Sequence, residues 1–133
     1  MAGLHGEPKT GAYYAAKLPA SLGAAIAAEV AAAKSKGPYG HFPKGPLSAE
    51  DAPGPTWKVS DAGRKTLGPR LTAAFEHTHM LVFHPRDASA ASLQSLLDAG
   101  WSTTDIVTVS QLVSFLSYQI RVVAGLSTLA STL

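Results

Sequence analysis

The chain has 133 residues, enough for one small domain and short for two. It is 46% hydrophobic and only 15% charged, against a usual charged share of roughly 25%, so apolar surface is left that an oligomer would cover. A net charge of +2 with no basic run gives no electrostatic basis for binding nucleic acid, and the lack of cysteine excludes disulfides, thiolate metal sites and cysteine nucleophiles within the chain.

The first nine residues contain Gly and Pro and are expected to be loose, with no basic stretch and apolar core to suggest a signal peptide. From about Gly11 to Lys36 the chain is Ala-rich and predicts helix, split at Pro19 because proline cannot continue an established helix without losing a hydrogen bond. One helix is expected to about Leu18 and a second from Pro19 to about Ser35, ended by Gly37. Ile26 and Val30 are nearly the only large apolar residues of the second piece, so its buried stripe is largely alanine.

Residues 37–59 carry repeated Gly-Pro punctuation that forbids regular structure. So long a connection is a strap across its own domain or a neighbouring subunit, a ligand cover or a disordered segment. Tyr39, Phe42, Leu47 and Trp57 are its candidate anchors. Ser60 is placed to cap the next helix, which Gly68-Pro69 should break or kink and Pro85 should stop. Ser89 then caps a short helix with Leu93, Leu96 and Leu97 on one face, and Gly100 suits the left-handed residue that ends it. Ser102 or Thr103 caps the last helix, with Asp105 in its first turn.

That last helix is apolar on two sides. Ile106, Val109, Val113, Leu116, Ile120 and Val123 recur at alternating spacings of three and four; Leu112, Phe115, Val122, Leu126 and Leu129 make a second side. Such a helix is buried from two directions, in its own core or between subunits. It is long enough to cross a bilayer, but Ser110, Gln111, Ser114, Ser117, Gln119 and Arg121 interrupt it, so no membrane span is expected.

Two places could carry chemistry. Glu76 and His79 share one face of their helix, three residues apart, as an acid–base pair would. One Glu-x-x-His pair supplies too few ligands for a tight metal site, so no metal is assigned; caps, hydrogen bonds or interface contacts are the alternative for these histidines. Arg121, inside an apolar helix, needs a carboxylate or several carbonyls. It is expected to be mostly buried and paired, with Glu76 first and Asp105 last among the candidates, or else to hold a substrate anion.

The segment LLDAGWSTTDIVTVSQLVSFLSYQIRVVAGL resembles the C-terminal half of the carboxymuconolactone decarboxylase and alkylhydroperoxidase AhpD-like superfamily, in its peroxidase-related branch. The resemblance rests on Gly100-Trp101, Ser102 to Asp105, Phe115 and Tyr118, Gln119, Arg121 and Gly125-Leu126, with HTHMLVFHPRDAS and FPKGPLSAEDAPGP before them. It implies an all-α subunit that assembles as a trimer or hexamer. The peroxidase members work through a Cys-x-x-Cys pair, which this chain lacks, so thiol peroxidase chemistry is not expected of it. The resemblance leaves a cofactor-free acid–base reaction on a small carbonyl or carboxylate compound, with Glu76 and His79 as the pair and Arg121 as anion holder. The alternative is a non-catalytic assembly subunit that partners a cysteine-bearing chain.

The sequence thus predicts an all-α, AhpD-like, cytoplasmic homo-oligomer of five or six helical pieces. Its expected organisation is N-terminal helices over 1–36, the irregular connection over 37–59 and a C-terminal helical core over 60–133, with neither cofactor nor nucleic acid nor membrane as partner.

Overall fold

The computed structural model describes residues 1–132 and is all-helical: α1 (Pro8–Ala15), α2 (Ala20–Ala33), α3 (Asp61–Phe83), α4 (Ala90–Asp98) and α5 (Thr103–Ser131). Short 3₁₀ turns at Pro46–Glu50 and Pro85–Asp87 punctuate the connections. The punctuation read from the sequence sets most of these bounds. Ser60, Ser89 and Ser102 each accept a hydrogen bond from a first-turn backbone N–H of the helix they open. α3 kinks at Gly68, whose φ of 71° only glycine adopts cheaply, and Pro69 starts the second stretch. Gly100, at φ 88°, turns the chain between α4 and α5.

α3 is the central element, packing against α2 on one side and against α4 and α5 on the other. Leu4, Ala33, Val82, Phe83 and Val113 form the core, with Met1, Val30, Tyr39, Trp57, Phe75 and Leu81 packed against it. Leu4 overturns the expectation of a loose N-terminus. It is only 2% exposed, and backbone bonds from His5 to Met1 and from Gly6 to Gly3 wind residues 1–6 into turns that deliver it. α1 buries no residue, and Tyr13 and Tyr14 stand out from it into solvent.

Residues 37–59 are a strap across their own subunit. Backbone bonds between Gly40 and Ala52 close it on itself. Tyr39 bonds Ser35, and Trp57 lies between Phe75 and His79 with ring centroids 5.2 and 5.0 Å away. Phe42 is half-buried under the Arg86 guanidinium, but Leu47, a candidate anchor by sequence, is half exposed. The corner between α4 and α5 is fixed from α3: the Trp101 indole donates to the Arg70 carbonyl at 3.0 Å, and Arg70 covers the indole and reaches Asp105.

α5 is 29 residues long, about 44 Å of helix at 1.5 Å per residue. Only Ile106, Val113 and Ser117 of it are buried. The inner apolar side therefore packs on α3 and α4 over its first half, while the other side has no partner among the described residues. Leu112, Phe115, Val122, Leu126 and Leu129 are all exposed, and so is Val123 at the end of the inner series.

Candidate functional site

The Glu-His-Thr-His run lies on the second stretch of α3, and each of its side chains has a place. The Glu76 carboxylate accepts from Lys58 Nζ at 2.8 Å, Arg64 Nη2 at 2.6 Å and the Val59 backbone N–H at 3.2 Å. It thereby pins the end of the strap to α3. His77 Nε2 bonds Ser110 Oγ at 2.8 Å and ties α3 to α5; its Nδ1 is buried with no partner among the described residues. His79 Nε2 donates to the Ala33 carbonyl at 3.2 Å, because a carbonyl can only accept. Its ring is packed between Trp57 and Phe83.

Burial pushes the imidazoles of both His77 and His79 below the ordinary histidine range. For His79 the carbonyl of Ala33 works the other way, and neighbouring His84 adds to the lowering. His84 itself bonds Asp87 through Nδ1 at 2.9 Å and the Pro55 carbonyl through Nε2 at 3.0 Å, so it clamps the strap. The His84 hydrogen bond is the main reason Asp87 sits below the usual carboxylate range.

Glu76 and His79 share a helix face but do not bond each other; each is committed to a different neighbouring segment. Among the described residues, no group of three or more His, Asp and Glu side chains is arranged to hold a metal ion.

Arg121 departs from expectation. It is exposed and pairs with no carboxylate among the described residues; its hydrogen bond goes to the Val82 carbonyl at 3.3 Å. Glu76 is already taken by Lys58 and Arg64, and Asp105 by Arg70. Arg121 stays exposed within an apolar helix because the described residues cover α5 on one side, and Arg121 stands at the edge of that covered strip.

What Arg121 does line is a cleft of about 430 Å³ between the end of α3 and α5. Leu81 and Pro85 form one wall; Ser114, Ser117, Tyr118, Arg121 and Val122 form the other. Neither Glu76 nor His79 reaches it. At its edge His5 Nε2 meets Ser117 Oγ at 2.8 Å. Burial, and then the Arg121 guanidinium, hold the His5 imidazole below its ordinary range. Ser114 and Ser117 are legible from sequence as helical neighbours of Arg121. His5 is not, because 112 residues separate it from Ser117 and only the fold joins them.

No family model matches this sequence, and no curated protein or solved structure matches it. The AhpD-like resemblance therefore rests on the residues that carry it.

Proposed function

We propose that this chain is a thiol-free, AhpD-like helical subunit of the cytoplasm, working as part of a homo-oligomer that assembles through the outer side of α5. One observation carries the reading. Leu112, Phe115, Gln119, Val122, Leu126 and Leu129 follow one another at spacings of three, four, three, four and three, and the five apolar members are 38–60% exposed. That is a heptad seam with one polar position, the pattern by which helices pair and fix their register. A chain with so few charges has little else to keep such a stripe in water.

A second copy fits this stripe better than lipid does. α5 is long and apolar enough to cross a membrane by length and composition alone. However, Arg121 lies well inside it, and a charge at mid-bilayer costs about 2.5–3.5 kcal/mol on insertion scales. The first half of α5 would also have to leave the contacts made by Ile106 and Val113. A trimer or hexamer is the assembly that the resemblance suggests, and a cysteine-bearing chain is the further partner it would add. The rival reading, acid–base catalysis by Glu76 and His79, has less support, since both side chains already bond structural partners.

Sedimentation velocity on the wild-type chain and on Leu126→Glu tests the proposal. Wild type should sediment as an oligomer and the variant as a smaller species with the same helical circular dichroism. A wild-type monomer, or an unchanged variant, would overturn it.

A further inference from the structure

The cleft beside Arg121 is separate from the Glu76 and His79 contacts and shares only Val122 with the outer seam of α5. Its chemistry is divided in two. At one end is a guanidinium with five N–H donors, one of them given to the Val82 carbonyl and none to a carboxylate among the described residues. Beside it, one turn back along α5, is the Ser117 hydroxyl, held by His5 at 2.8 Å. The rest of the wall is the small polar Ser114 and an apolar or aromatic surface of Leu81, Pro85, Val122 and the Tyr118 ring. The volume of about 430 Å³ lies within the range of about 300–1,000 Å³ usual for small-molecule sites.

We propose that this cleft binds a small monocarboxylate with an apolar body, its carboxylate on Arg121 and Ser117 and its body against Leu81, Pro85 and Tyr118. A planar guanidinium matches a carboxylate with two parallel hydrogen bonds. The His5–Ser117 contact orients the serine: with Nε2–H donating to Oγ, the hydroxyl proton turns to the ligand. His5 is then coupled to the ligand's charge. An anion beside Arg121 offsets the cation that disfavours protonation of the imidazole, so binding should raise the pH at which His5 titrates. A free phosphate would use the guanidinium but not the apolar wall, and a neutral apolar molecule would do the reverse.

The proposal stands whether or not copies pair through α5, and the assembled wild-type protein is the material to test. Benzoate is the probe; benzyl alcohol and inorganic phosphate are the controls, titrated by calorimetry and by ¹H–¹⁵N spectra at pH 7 and low salt. Benzoate should bind saturably at one site per chain, shift the signals of Ser114, Ser117 and Tyr118, and raise the His5 titration midpoint. Arg121→Gln should weaken it about ten-fold or more, because the charge-assisted pair is lost, with Arg121→Lys between the two. Arg121 is exposed, so both variants should keep the helical circular dichroism of wild type. Equal binding of benzyl alcohol and benzoate would overturn the proposal. So would phosphate binding without benzoate binding, unchanged affinity in Arg121→Gln, or shifts confined to residues outside the cleft. If Arg121→Gln does not fold, the site is judged on the wild-type shifts and on Arg121→Lys alone.

Discussion

His79 Nε2 lies 3.2 Å from the carbonyl oxygen of Ala33, joining the C-terminal part of the central helix to the last turn of α2. This bond fixes the tautomer of His79 and makes the neutral ring a structural part of the core. His77 is buried on the same helix, and both rings titrate below their ordinary range because burial disfavours the cation.

Stability should therefore fall as the solution is acidified through the histidine range. The unfolded chain takes up protons below about pH 6.5, while the folded chain declines them until its lowered values are reached. The contribution is complete above the unfolded value and is lost toward the folded one. His5 has the same sign. Thermal melts should give a higher Tm at pH 7.5 than at pH 5.5, and His77→Gln should flatten the difference. A Tm that is constant or rises over that interval would contradict this reading of the buried imidazoles.

Gly63→Ala should destabilise the fold. A Cβ on Gly63 would meet the Glu29 carboxylate and would stand 2.8 Å from Val59 Cγ1. Glu29 is buried and accepts from the Ser60 backbone N–H and hydroxyl, so it cannot withdraw without losing the join between α2 and the start of α3. Overpacking of this kind costs about 1–3 kcal/mol, readable as a shift in the urea midpoint. A variant as stable as wild type would place the Glu29 contact elsewhere.

Thr72→Val should be neutral or stabilising. The Thr72 hydroxyl is buried in α3 and has no hydrogen-bond partner among the described residues. Valine keeps the shape and removes a polar group whose burial costs about 1–3 kcal/mol when unmet. A drop in Tm of several degrees would mean the hydroxyl has a partner.

Most of the fold was legible because its boundaries are written in local chemistry. Ser60, Ser89 and Ser102 at helix starts, Gly68-Pro69 at the kink and Gly100 at the corner are each recognisable within four residues of chain. What periodicity could not supply was the number of covered faces. α5 has two apolar sides in sequence, and nothing local says that only one meets its own subunit. The placing of Arg121 failed for that reason. The places of Leu4 and His5 are not legible locally, because Leu4 joins a core cluster with Ala33, Val82, Phe83 and Val113, and His5 bonds Ser117 across 112 positions, where no spacing rule reaches. Glu76 and His79 stand three residues apart on α3, as their spacing predicts, but their partners Val59 and Ala33 come from tertiary packing.

Hydroperoxide turnover with a dithiol reductant should be absent from a metal-free preparation. The chain has no cysteine to attack the peroxide or resolve the product. Steady consumption of an organic hydroperoxide under those conditions would contradict this expectation and require a reacting group other than a thiol.

Under the proposed function, the outer stripe of α5 is covered by further copies of the chain. Size-exclusion chromatography with multi-angle light scattering at micromolar concentration measures this assembly. The wild-type mass should be three or six times 13.7 kDa, falling toward one copy in Leu126→Glu. A wild-type protein that elutes as a stable species of 13.7 kDa would contradict it.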